Sequence, residues 1–163
     1  MAILPIRKYG DPVLRRVASR VSPGEIGPEL RKLADDMLET MYDAPGVGLA
    51  GPQVGVEKQI FVFDIGSGPG ALINPRIVKT EGTWVYNEGC LSVPGLWFEI
   101  ERPGFVVATG LDLDGKEITV EGDELLGRLL LHETDHLEGV LLIDRLDRER
   151  RKEALAEIRR RLM

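Results

Sequence analysis

Histidine occurs twice in this 163-residue chain, as His132 and His136, with Glu133-Thr134-Asp135 between them. On an α-helix that spacing sets both imidazoles on one face, one turn apart, where they can meet a single divalent cation. Glu133 is offset by one step, beside such a cation rather than on it, where it can handle the protons of a bound water. The pattern H-E-x-x-H therefore constrains the fold. Residues 122–138 predict a helix whose histidine face turns inward, and a further ligand has to come from a remote segment. A hydrolytic centre keeps three protein ligands and one open position.

The extension H-E-x-x-H-x-x-G-x-x-H would supply a third histidine; Gly139 falls where its glycine should be, but Leu142 stands where that histidine is required. A glutamate on a later helix is a second route. Glu153 and Glu157 are the downstream candidates, set among Arg150, Arg151, Lys152, Arg159, Arg160 and Arg161 on what reads as a solvated helix. The remaining candidate is the single cysteine, Cys90. A lone cysteine is ordinarily a small buried hydrophobe and forms no internal disulfide. Beside a two-histidine motif it reads instead as the third arm, because a thiolate is a soft, strong ligand. A non-catalytic module with a closed structural metal needs a fourth ligand, and no good one accompanies these three.

Gly46-Val47-Gly48-Leu49-Ala50-Gly51-Pro52-Gln53 matches the spacing of a dinucleotide fingerprint. That fingerprint needs a strand before it and a helix starting within it. Here a predicted helix precedes the glycines and Pro52 follows at once, so the nucleotide reading is discarded. The glycines suit a backbone passing close to a ligand, with Gln53 offering an amide donor to an oxyanion. An ordinary loop with Gln53 facing water is the equal alternative.

Nineteen glycines and ten prolines predict many turns and short strands rather than a helical bundle. Asp11-Pro12 starts a short helix to about Arg16, and Leu30, Leu33, Ala34, Met37, Leu38 and Met41 make one apolar stripe over residues 28–43. Gln59–Phe63 reads as a buried strand. Short strands are expected at Ala71–Asn74, Ile77–Thr80, Thr83–Val85 and Leu91–Val93. Phe105–Leu113 and Glu117–Glu121, joined by Asp114-Gly115, predict a hairpin, and residues 147–162 a final helix. The expected class is α+β, with short, mostly antiparallel strands packed around a central metal-binding helix and a C-terminal helix. One catalytic domain over residues 1–163 is expected, with 147–163 as its surface helix.

The formal charge of −6 argues against broad binding to nucleic acid, and no specific DNA target is expected. The charge is uneven: residues 144–163 carry eight basic and five acidic side chains. No run approaches the ~18 apolar residues of a membrane span, and the start lacks the apolar region of a secretory signal. The expected location is the cytoplasm.

Three segments together, Gly46–Gln53, Glu88-Gly89-Cys90-Leu91-Ser92 and His132–His136, resemble the peptide deformylases in order and spacing, over essentially the whole chain. The resemblance implies a metal-dependent hydrolase that removes the N-formyl group from the initiator methionine of nascent polypeptides and releases formate. It implies Cys90, His132 and His136 as ligands, Fe²⁺ as the native metal with Zn²⁺ or Ni²⁺ able to replace it, and Glu133 as acid/base. It also implies that the Gln53 amide and the Leu91 N–H bind the developing oxyanion. Val47, Gly48, Leu125 and Leu129 are expected around the methionine side chain, although the leucines could equally be plain core. Arg102 is expected either at the substrate backbone or paired with Glu88. A weak contact between the basic C-terminal helix and the ribosome is a further expectation. Two departures from the family pattern are Gly51, expected to loosen the loop carrying Gln53, and Leu131. The rival function is an H-E-x-x-H metallopeptidase acting on internal or terminal peptide bonds.

Overall fold

The computed structural model describes residues 2–162. Among these residues one α-helix, seven consecutive strands and two further α-helices follow along the chain: α1 (Pro28–Asp43), β1 (Gly48–Ala50), β2 (Ile60–Phe63), β3 (Gly70–Glu81), β4 (Trp84–Cys90), β5 (Val93–Arg102), β6 (Phe105–Leu111), β7 (Glu117–Asp123), α2 (Glu124–Leu137) and α3 (Arg148–Leu162). The strands form two antiparallel sheets, one of five in the order β1-β2-β3-β6-β7 and one of two, β4-β5. The class is α+β.

Burial explains the layering. In β2, Ile60 and Val62 join the cluster under α1, with Met37 and Met41, while Phe61 points the other way, toward Leu130 and Leu137 of α2. Alternate residues of one strand thus feed two cores, which is why its sequence reads as a continuous apolar run. A third cluster joins Val93, Leu96 and Ile100 of β5 to Leu141, Leu142 and Ile143, and to Ala154 and Ile158 of α3.

The α1 stripe, the β6–β7 hairpin and the helix over the H-E-x-x-H motif fall where the sequence predicts them. The strand expected at Thr83–Val85 is the start of the longer β4, and the sequence predicts neither β1 nor most of β5. Three further segments differ. Residues 12–15 form one short 3₁₀ turn, capped by the Asp11 side chain on the Val13 N–H. The strands expected at 71–74 and 77–80 are one strand, β3. It runs through Pro75 by shifting register between Ile73 and Arg76, with Asn74 at φ 51°. Pro75 has no N–H to give a neighbour, and the shift is the place a sheet tolerates that. The Asn74 side chain accepts from the Val21 N–H at 2.8 Å and donates to the Val21 carbonyl at 2.9 Å, holding the bend. The third difference lies at the cysteine. Cys90 ends β4, Leu91 and Ser92 make the turn, and Val93 opens β5, so Leu91–Val93 is a hairpin tip rather than a short strand.

Candidate metal centre and active site

Helix α2 carries His132 and His136 inward, and the β4–β5 tip brings Cys90 against them. His132 Nε2 and His136 Nε2 lie 3.2 Å apart, and Cys90 Sγ lies 3.4 Å from His136 Nε2. The ligand atoms of all three residues fall within 4.8 Å of one another, and no other His/Cys/Asp/Glu group among the described residues is so arranged. Two nitrogens bound at ~2.0 Å to one tetrahedral cation would sit about 3.3 Å apart, so the spacing fits a shared ion.

The surroundings fit it too. Glu88 Oε2 lies 2.6 Å from His132 Nδ1, an arrangement that puts the proton on Nδ1 and leaves the Nε2 lone pair facing the other ligands. His136 is buried, its Nδ1 has no partner, and burial holds its pKa well below the ordinary imidazole value. His132 behaves in the opposite way. Against the effect of burial, Glu133, Cys90 and Glu88 hold its pKa well above the ordinary value, so this spot stabilises positive charge. A divalent cation held by these ligands would supply that charge.

Glu133 is buried beside the ligands, and its Oε1 has no hydrogen-bond partner. Burial pushes its carboxyl up to about 7, in the range of a group that takes and returns protons near neutral pH. Gly48 makes room for it: a Cβ there would stand 2.6 Å from Glu133 Oε2 and 2.3 Å from a Leu129 methyl. Gln53 is buried, accepts the Ala50 N–H at 2.9 Å through Oε1, and turns its Nε2 to Ser92 Oγ at 3.1 Å and Cys90 Sγ at 3.7 Å. Its amide faces the ligands rather than water.

A cavity of about 510 Å³ opens over this group. Gln53, Cys90, Leu91, His132 and Glu133 line it, as do the residues expected around the substrate side chain, Val47, Gly48, Leu125 and Leu129. Arg102 does not. It lies behind His132, with Nε and Nη2 on Glu88 at 3.0 and 2.9 Å and Nη1 on Asp135 at 2.8 Å, which corrects its expected place at the substrate backbone. Burial alone would raise the Glu88 carboxyl, but His132 and Arg102 hold it well below the ordinary carboxylate range. Asp135 in turn accepts from Arg145.

Arg128 is the side chain that sequence reasoning missed. It lines the cavity, donates to Glu88 Oε1 at 3.1 Å and to the Trp84 carbonyl, and stacks on Trp84 and Tyr86. Its signal was present in the helix phase, since residue 128 lies one turn before His132. Gly51 is closely packed. The Val56 and Lys58 carbonyls stand 2.8 and 2.9 Å from where its Cβ would be, so alanine is what this backbone excludes. Leu131 packs against the α2 core cluster and does not line the cavity. Glu153 and Glu157 lie on α3, outside the ligand group.

A three-ligand metal site of H-E-x-x-H type, open to a cavity and backed by a carboxylate, defines a metallohydrolase. Residues 3–152 match the polypeptide deformylase family, and the chain belongs to it. It is 52% identical over 146 residues to peptide deformylase 1 of Clostridium acetobutylicum, covering 90% of this chain and 96% of the relative. It is 50% identical over 159 residues to the peptide deformylase of Acidothermus cellulolyticus, covering 98% and 87%. Among solved structures, a peptide deformylase from Legionella pneumophila superposes with a TM-score of 0.91 at 38% identity, covering 98% of this chain and 95% of that one. One from Synechococcus elongatus, in complex with actinonin, gives 0.88 at 44% identity, with 94% and 86% covered.

Proposed function

We propose that this chain is a metal-dependent hydrolase that removes the N-formyl group from the initiator formyl-methionine of nascent polypeptides and releases formate. One observation carries the reading. Cys90, His132 and His136 converge, and the first two line a cavity together with Glu133, a carboxylate with an oxygen no other protein group uses. Family membership favours the formyl amide over internal peptide bonds as the bond cut.

In this reading the three ligands hold one divalent cation, Fe²⁺ in the cell, with Zn²⁺ or Ni²⁺ acceptable to the same donors. When bound, the cation acts as a Lewis acid that brings a water toward ionisation near neutral pH and polarises the formyl carbonyl. Glu133 takes the proton of the attacking water and returns it to the leaving amine. Gln53 Nε2 gives up Ser92 to donate to the oxygen on which charge develops, while Oε1 stays on Ala50 and fixes the amide's direction. The Leu91 N–H is the second donor, and one such group is worth ~3 kcal/mol. Val47, Gly48, Leu125 and Leu129 receive the methionine side chain.

The chain works as one catalytic unit with α3 as its surface helix, whose basic excess suits a weak contact with the ribosome, in the cytoplasm where its substrate is made. No helix of the described residues is long and apolar enough to cross a membrane. The test is metal analysis of anaerobically purified protein together with hydrolysis of formyl-methionyl peptides and of the same peptides without formyl. Stoichiometric iron and formate release from the formylated set alone are expected. Cleavage of internal bonds would return the metallopeptidase reading.

A further inference from the structure

A segment near the start of the chain, outside every helix and strand, reaches both loops that carry the oxyanion donors. The Arg7 N–H donates to the Gln53 carbonyl at 2.7 Å, and the Tyr9 N–H donates to the Ser92 carbonyl at 2.9 Å. Two N–H groups two residues apart thus span the short 3₁₀ turn Gly51–Val54 and the β4–β5 tip. The segment is itself held at both ends. The Arg7 guanidinium lies on Gly55, where a Cβ would stand 2.5 Å from Nη2, and its Nη1 donates to Asp11 at 3.0 Å. The Lys8 carbonyl accepts the Asp11 N–H at 3.0 Å across Tyr9 and Gly10, with Gly10 at φ 102°, which makes a type II turn. The Tyr9 side chain packs against the cluster shared by β5 and α3.

We infer that residues 7–9 form a positioning element for the reaction, a main-chain bridge that fixes the Gln53 amide relative to the Leu91 N–H. The inference rests on the deformylase reading. Gln53 and Ser92 are joined in two ways, directly through Gln53 Nε2 on Ser92 Oγ and indirectly through Arg7 and Tyr9. In that reading Nε2 leaves Ser92 for the developing oxyanion, so the direct bond is given up when the spacing of the two donors matters most. The indirect path uses only main-chain groups, and none of residues 7–9 lines the cavity. It therefore stays closed while substrate turns over. Oxyanion donors act by being in place beforehand, and a displacement of ~1 Å costs up to about 10²-fold in rate.

The experiment pairs proline with alanine at each bridge position, because the two differ by one N–H. Proline is favoured at the second position of a type II turn, so Tyr9→Pro removes the donor and keeps the backbone shape, while Tyr9→Ala removes only the ring. Arg7→Pro and Arg7→Ala make the same comparison at the Gln53 carbonyl. With a formyl-methionyl peptide, each proline variant should show kcat about tenfold below its alanine partner, with KM within twofold and metal content equal. In a Gln53→Ala background the Arg7 pair should agree within twofold, since the donor that Arg7 positions is gone. Amide hydrogen exchange at residues 51–55 and 90–93 should be faster in the proline variants than in the alanine ones. Should Arg7→Pro fail to fold, the Tyr9 pair decides through its kcat ratio and its exchange. Equal kcat within the pairs, a loss carried by KM or by metal content, or an undiminished Arg7 effect in Gln53→Ala overturns the inference and leaves the deformylase reading intact. No turnover of any formylated peptide by iron-loaded wild type would overturn that reading instead.

Discussion

Glu133 and Cys90 line the same cavity, yet their losses should look different. Glu133→Gln preserves shape and removes the proton carrier, so metal content should stay near stoichiometric while turnover falls at least ~10²-fold. Metal analysis beside the formate assay checks this, and a metal-free mutant protein would move Glu133 among the ligands. Cys90→Ala removes the only thiolate, and two imidazoles alone bind weakly, so metal affinity should drop by orders of magnitude under a chelator titration. Full metal and activity in that variant would make Cys90 core filler. At this scale much was legible in the sequence. The helical phase alone put His132, His136 and Glu133 in place, and the absence of a third histidine pointed to Cys90. For Arg102 the sequence offered the substrate backbone or Glu88, and the structure shows Glu88; it could not choose, because an arginine that spans two buried carboxylates and one that grips a substrate have the same local sequence.

Elements that follow one period were readable, and those that break it were not. The stripe of α1 and the Asp114-Gly115 hairpin each repeat their signal over many residues. Strand β3 looked like two short strands because Asn74 and Pro75 interrupt its alternation, and only the pairing with β6 shows that it continues. The β4–β5 hairpin was hidden because its turn, Leu91-Ser92, holds no glycine, asparagine or proline; Ser92 is held by the Gln53 amide and Leu91 packs against the α1 cluster. The passage of β1 past α2 makes a prediction. Gly48→Ala places a methyl against Glu133 and Leu129, so activity should fall more than tenfold, with stability lowered by ~1–3 kcal/mol in denaturant titration. Asp144, before α3, tests the charge pattern. Burial would raise its pKa, but Arg15, the Leu141 N–H and Arg151 bring it below 3.8. A carboxylate with a depressed folded-state pKa stabilises above the unfolded value and stops doing so as pH falls through the folded one. Asp144→Asn should therefore cost ~1 kcal/mol at pH 7, a difference that shrinks in melts taken progressively below pH 3.8.

Across the whole molecule, the two sheets share no strand pairing. Buried chemistry joins them instead: Glu88 and Cys90 come from β4, Arg102 from β5, and His132, Asp135 and His136 from the helix that lies on the large sheet. No window of sequence contains that junction, which is why the α+β class could be read in advance while the separation of the sheets could not. It also changes what the cation is for. An ion held by Cys90 and both histidines would be a clasp as well as a catalyst, fastening the small hairpin to the rest of the chain. Ligands that bind only the folded state stabilise it in proportion to their saturation, by about 4 kcal/mol at a thousandfold excess over Kd. Stripping the ion anaerobically should lower the melting temperature. In amide hydrogen exchange, residues 84–102 should lose protection before the β2–β3 core does. Uniform loss would mean that the hairpin stays fastened by its ion pairs alone. In the expected case, metal supply reaches beyond turnover: a cell short of it would hold a chain with a loosened flap, open to proteases at the strand that carries its own ligand.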